Sequence, residues 1–275
     1  KREVTILGSA RFPEDNEYCR LAQGLGALLG KHGFTTITGG GPGIMQAANR
    51  GAYESGGESV GLNIQLPFEQ RVNPFVKKSA AFYYFFTRKV MLTSPANAFA
   101  LFPGGYGTMD EFFEIVDLME LGMMPKSPVV LVGKKYWEPL LNFLRSHCSA
   151  MGSVSEEHVD SWHVVDSAKA AFEFIKDTAD IAQVCDLSPN SFHCQGDINW
   201  KIFRVMAELV EGFDFVTGLN DAVTILGTKG IQAGAGYYTK AYELGAKLAE
   251  RGFAVVTGGM NGLAEGANKG AFEAG

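Results

Sequence analysis

Apolar and polar positions along the chain follow two alternating periods. Short, mostly β-branched or apolar runs at residues 4–7, 35–38, 59–63, 98–102 and 129–132 predict strands. Between and after them, apolar residues recur at helical spacing over residues 17–32, 44–55, 88–93, 109–121 and 137–151. Strand and helix in strict alternation predict the α/β class, a Rossmann-like doubly wound parallel sheet with helices on both faces. Ligands of such sheets sit at the carboxyl ends of the strands. Two glycine-rich stretches follow strands and so belong to that edge: Gly39-Gly40-Gly41-Pro42-Gly43 and Pro103-Gly104-Gly105-Tyr106-Gly107.

Further along, residues 166–180 predict a closing helix, and the polar stretch around Ser188-Pro189-Asn190-Ser191 reads as a linker. Residues 198–213 are amphipathic, with Ile202, Phe203, Met206, Leu209 and Val210 at helical spacing. The chain then repeats itself. Shifted by 219 positions, Val4-Thr5-Ile6-Leu7-Gly8 falls on Val223-Thr224-Ile225-Leu226-Gly227, and Thr38-Gly39-Gly40 on Thr257-Gly258-Gly259. The match runs without a gap to Gly56 and Gly275, with about 23 of 53 positions identical. This predicts a duplicated fold: a first domain at 1–184, a linker at 185–197, and the start of a second domain at 198–275. The second copy ends before any counterpart of Arg88 or of the 103–111 loop, and Gly41-Pro42 becomes Met260-Asn261. An α/β domain stopped there would leave sheet edges uncovered, which leads us to expect a longer parent protein.

Composition narrows the function. With 275 residues, 46% hydrophobic and 20% charged, the chain can bury a substantial core. A net charge of -6 gives no electrostatic reason to expect nucleic acid as a partner. Cys19, Cys148, Cys185 and Cys194 form no C-x-x-C pair, and the five histidines lack helical metal spacing, so neither a metal nor another cofactor is expected. No apolar run approaches the roughly 20 residues that span a bilayer. Lys1-Arg2-Glu3 leads straight into a strand rather than a signal peptide. The expectation is a cytoplasmic protein without membrane attachment.

Candidate chemistry concentrates at residues 103–111, Pro-Gly-Gly-Tyr-Gly-Thr-Met-Asp-Glu. Gly104, Gly105 and Gly107 let backbone amides approach an anion closely, and a helix starting near Thr108 would aim its unpaired N–H groups at the same point. Glu111 would stand beside that cradle. Thr108-x-x-Glu111 is equally a capping box, and spacing alone leaves the two readings open. Upstream, Arg88-Lys89 offers a permanent bidentate cation beside an ammonium; Arg88 could also be a surface cation closing a helix. Asp110, Glu114 and Asp117 form an acidic stripe that reads as a solvated face, with Asp110 the substitute should Glu111 not serve. The run Phe82-Tyr83-Tyr84-Phe85-Phe86 fits a core or dimer interface better than a stacking platform for a base.

Taken together, the Gly39–Gly43 loop, the stretch Leu66-Pro67-Phe68-Glu69-Gln70 with Asn73-Pro74, Arg88-Lys89, and the P-G-G-x-G-T-x-x-E string resemble the lonely guy (LOG) family, often labelled "possible lysine decarboxylase". The resemblance covers about residues 3–180 and, as a second start, about 200–275. It implies a phosphoribohydrolase that cleaves a nucleoside 5′-monophosphate, AMP-like or a cytokinin ribotide, into free base and ribose 5-phosphate. It further implies Arg88 and Glu111 as the catalytic pair. Gly40, Gly41, Gly43, Lys89, Gly104, Gly105, Tyr106, Gly107, Thr108 and Asp110 would lie around the phosphate. Glu69, Gln70 and Asn73 would lie on the base and ribose side, in a segment like that of the longer family members. A homodimer or higher oligomer is implied, or an intrachain pseudo-dimer made by the second copy. The alternative class is a non-catalytic nucleotide or molybdenum-cofactor carrier, which needs the glycine cradle but not the Arg–Glu pair. A dehydrogenase is disfavoured because neither glycine stretch completes G-x-G-x-x-G. Lysine decarboxylation would need a Schiff-base lysine and a pyridinium partner that no motif supplies.

Overall fold

The computed structural model describes residues 2–65, 72–178, 198–219 and 221–275. The described chain divides into two units, one from residues 2–142 and 157–178, the other from 143–156 and 198–275. Glu69, Gln70 and the expected linker at 185–197 lie outside the described residues.

The first unit runs β1 (Glu3–Leu7), α1 (Glu17–Lys31), β2 (Thr35–Thr38), α2 (Ile44–Glu54), β3 (Glu58–Ile64), β4 (Lys78–Phe82), α3 (Phe85–Thr93), β5 (Ala98–Leu101), α4 (Tyr106–Glu120), β6 (Val129–Val132), α5 (Lys134–Phe143), α6 (Glu156–Asp160), β7 (His163–Val165) and α7 (Ala168–Thr178). Its seven strands are ordered β4-β3-β2-β1-β5-β6-β7, and every pairing is parallel. Alternation along the central strands fills both faces. Val4, Ile6, Ala98, Ala100, Val130 and Val132 join a core with Leu25 and Leu29 of α1, Ile44 of α2, and Phe172 and Ile175 of α7. Thr5 faces the other way and donates to the Leu92 carbonyl at the end of α3 at 2.7 Å. Phe112 of α4 is fully buried there against Trp137 and Trp162. Helices α1 and α2 cross closely because glycines meet at the crossing: a Cβ on Gly26 would strike the Ala48 carbonyl, and one on Gly51 the Gln23 carbonyl.

The five predicted strands are present, and β4 and β7 are additions. Both close an edge of the sheet. Strand β4 is almost wholly exposed, so Lys78-Ser79-Ala80-Ala81 shows no buried alternation to read. Helix α4 starts at Tyr106, three residues before the expected 109. The helix expected over 137–151 stops at Phe143 and continues as a π-helical turn, Leu144–Ser149. The aromatic run is split: Phe82 ends β4 and Phe85 opens α3. Tyr83, Tyr84, Phe85 and Phe86 are all exposed, so the core reading of that run does not hold.

The second unit contains α8 (Ile198–Val216), β8 (Ala222–Thr224), α9 (Gly236–Ala249), β9 (Ala254–Val256) and α10 (Leu263–Ala274), with β8 and β9 parallel. Its loops use the local devices of the first unit at the shifted positions. Gly43 and Gly262 both precede a helix at positive φ, 66° and 79°. The amide of Gly40 donates to Thr38 Oγ1 at 2.9 Å, and that of Gly259 to Thr257 Oγ1 at 3.0 Å.

Candidate functional site

The sheet order places a switch point between β1 and β5. The chain leaves β1 for β2 on one side, and returns from β4 to β5 on the other. The loops after these neighbouring strands therefore diverge and leave a crevice at their carboxyl ends. A cleft of about 850 Å³ occupies this place, walled by Gly8–Phe12 after β1 and Gly104–Met109 after β5, with Arg88, Glu111, Met45 and Tyr136 completing it.

The β5 loop is held from below. Tyr136 Oη donates to the Gly104 carbonyl at 2.6 Å, and the Ser9 amide donates to the Pro103 carbonyl at 3.0 Å. A Cβ at Gly104 would collide with the Thr108 side chain, so the tight loop requires glycine there. Gly105 is the N-cap of α4 and supplies no side-chain cap. Gly105–Thr108 at the start of α4 line the cleft, where an anion would satisfy uncapped amides of the first turn. Thr108 and Glu111 stand third and sixth in α4, so the capping box open to the sequence is not formed.

Arg88 and Glu111 both line the cleft and approach each other there. The Arg88 Nη1 lies 3.7 Å from Glu111 Oε1, and the two side chains are only 11% and 15% exposed. Arg88 Nε donates to the Leu62 carbonyl at the end of β3 at 2.8 Å. Gly39 has no Cβ because one would strike the Arg88 guanidinium. Burial lowers the Arg88 pKa, with Glu111 opposing the shift. Burial also raises the Glu111 pKa to about 7, against the pull of the Arg88 charge. A carboxyl titrating there can exist in either protonation state at neutral pH, as acid–base chemistry requires.

Other expected site residues lie off the cleft wall. Lys89 Nζ sits 2.7 Å from Asp110 Oδ2 and 2.8 Å from Glu114 Oε2. Burial depresses its pKa, but the two carboxylates outweigh that and raise it. Asp110 is therefore this lysine's partner. Gly40, Gly41 and Gly43 shape the loop between β2 and α2. The Gly40 and Gly41 carbonyls accept from Asn73 Nδ2, both at 3.1 Å, and Asn73 Nδ2 also approaches Asn49 Oδ1 at 2.9 Å. Asn73 Oδ1 accepts from the Phe75 amide at 3.2 Å. Both ends of the Asn73 side chain are thus spent inside the protein, and it braces the glycine loop.

The sequence reading missed the β1 loop, Met45 and Tyr136. One signal was present for the first: Val-Thr-Ile-Leu-Gly occurs in both halves of the chain, which marks Gly8 as a position where bulk is excluded. A Cβ there would press on Ile44 and Phe102 at 2.8 and 2.9 Å. Among the described residues no cluster of metal-ligating side chains is found, and no helix is long and apolar enough to cross a membrane.

Fold and site together define a doubly wound α/β protein with a glycine-rich loop at its switch point and a buried Arg–carboxylate pair beside it. Comparison with known proteins bears on the family and the fold. The family model described as "Possible lysine decarboxylase" matches residues 45–175, and one described as "SLOG cluster4 family" matches residues 220–275. A cytokinin riboside 5′-monophosphate phosphoribohydrolase of Mycobacterium marinum is 31% identical over 174 residues, 62% of this chain and 92% of that protein. A protein of the same name from Rhodococcoides fascians is 27% identical over 157 residues, 56% of this chain and 79% of that protein. The molybdenum cofactor binding protein of Rippkaea orientalis shares the fold, with a TM-score of 0.50 and 19% identity, over 64% of this chain and 96% of that one. The chain belongs to the LOG family, whose model carries the lysine decarboxylase description.

Proposed function

We propose that the cleft of the first unit hydrolyses the N-glycosidic bond of a nucleoside 5′-monophosphate, releasing the free base and ribose 5-phosphate. The observation that carries this reading is the buried Arg88–Glu111 pair set against the open amides of α4. In this reading the 5′-phosphate occupies the Gly104–Thr108 cradle, which fixes the ribose with its C1′ toward Glu111. The bond from C1′ to the base nitrogen breaks with its electron pair leaving on the base, which takes up a proton from solvent. Water oxygen then bonds to C1′, and its proton passes to the Glu111 carboxylate, which returns it to solvent. Charge on the ribose in the oxocarbenium-like transition state favours an ionised Glu111. Arg88 holds that carboxylate in place and favours its charged form. The names of the two relatives support this reaction class and suggest cytokinin ribotides, beside AMP, as substrates to try. We also take residues 220–275 as a partial second copy of the first unit, on the strength of the shifted identities and shared loop devices.

The test is a panel of AMP, CMP, GMP, UMP and a cytokinin ribotide, with released bases separated by chromatography. We expect turnover of at least one, and a loss of about 10³-fold or more in Glu111→Gln with the circular dichroism spectrum unchanged. Binding without release of base by the wild-type protein would overturn the reading in favour of a carrier.

A further inference from the structure

Lys89 follows Arg88 on α3, yet its ammonium does not line the cleft. It lies between two carboxylates of α4 instead, at 2.7 Å from Asp110 and 2.8 Å from Glu114. These two acids bracket Glu111 in sequence, one residue before it and three after. Consecutive residues of α3 thus grip one stretch of α4: Lys89 by its two ion pairs, Arg88 by its approach to Glu111 at 3.7 Å. The charged groups acting on Glu111 are Arg88 and Lys89 from α3 and Asp110 and Glu114 from α4. The two acids oppose its ionisation and the two bases favour it. Lys89 is only 19% exposed, so solvent screens this balance less than it would at an open surface.

We propose that Lys89 is a positioning residue and not a ligand of the substrate phosphate: its double ion pair fastens α3 to α4, fixes the separation of Arg88 and Glu111, and offsets the charge of the two carboxylates that flank Glu111 on α4. This role deepens the nucleotide-hydrolysis reading, and its kinetic arm rests on that reading. The geometry separates it from phosphate binding, because an ammonium committed to Asp110 and Glu114 would have to abandon both to reach an anion in the cleft.

The decisive measurements compare Lys89→Met, Lys89→Arg and the double variant Asp110→Asn/Glu114→Gln. In Lys89→Met, kcat at pH 7 should fall roughly tenfold while KM for the nucleotide stays within about threefold. The acid limb of its pH profile should move up by about one unit, because Asp110 and Glu114 are left uncompensated. Lys89→Arg keeps a cation between the acids and should recover most of the rate. The double variant removes both acids, retains the lysine, and should move the limb down. It also serves if Lys89→Met does not fold. A tenfold or greater rise in KM with an unmoved limb would overturn the proposal and make Lys89 a phosphate ligand. Carboxyl NMR titration of nucleotide-free protein, with Glu111→Gln supplying the assignment, reads the same shifts without turnover. Should no nucleotide be cleaved, the hydrolysis reading fails, while the titration still decides the role of Lys89: shifts in the stated directions support it, and a Glu111 resonance that titrates identically in all variants overturns it.

Discussion

Glu111 is a carboxyl held where a carboxylate is costly, and its value depends on that placement. Burial raises its pKa to about 7, while Arg88, itself nearly buried, pulls the other way. If the ionised form is the active one, kcat/KM should rise with pH through about 7 and level off above, since the neutral acid neither stabilises positive charge nor accepts a proton from water. Stability should run in the opposite sense. A group whose folded pKa exceeds its unfolded value of about 4.5 favours the folded state below that value, and the contribution is lost as pH rises through the folded pKa. Between pH 5 and pH 8 the wild type should therefore lose about 2–3 kcal/mol relative to Glu111→Gln, which cannot ionise. Denaturant melts of both proteins at the two pH values measure this. A stability difference that does not change with pH would mean that Glu111 titrates normally.

At the scale of elements, the site is made by two loops that sequence order keeps apart and sheet order brings together. The central strands were legible because they are buried on both faces and therefore read as apolar runs. Strands β4 and β7 were not, since an edge strand has one side in water and little pattern. The motif around Glu111 was legible because its glycines, threonine and acid follow a strand directly. What no local pattern could disclose was which residues face it. Arg88 reaches Glu111, and Lys89 reaches Asp110, only because α3 packs beside α4. The start of α4 was misplaced for a related reason: Gly105-Tyr106-Gly107 has weak helical propensity, and the turn is held by anchors elsewhere. One such anchor is Tyr136 on α5, whose hydroxyl ties down the Gly104 carbonyl. Removing that hydroxyl in Tyr136→Phe leaves the aromatic packing on Trp137 in place but frees the loop. KM for the nucleotide should rise about three- to tenfold with kcat changed less, which initial-rate measurements would separate.

Across the whole molecule, the two units use similar local geometry with different amounts of support. In the first, β1 lies between β2 and β5, and helices cover both faces, so Leu7, Leu25 and Phe34 are buried. At the shifted positions of the second unit, Leu226, Leu244 and Phe253 are exposed, and Leu226 is 83% accessible. Its sheet has two strands, and a two-stranded sheet lacks the cross-strand and layer packing that gives independent stability. The close contact between α9 and α10 remains, since a Cβ on Gly245 would strike the Ala267 carbonyl just as Gly26 meets Ala48. Local stability follows buried contacts rather than local geometry. In native-state hydrogen exchange on the intact chain, the amides of β8 and β9 should therefore exchange at least about a hundredfold faster than those of β1 and β2, with protection on the facing sides of α9 and α10 in between. The comparison is internal to one sample, because Val4 to Leu7 and Val223 to Leu226 have identical sequences and thus nearly equal intrinsic exchange rates. Equal protection of the two segments would show that the second unit draws stability from contacts beyond its own two strands and helices.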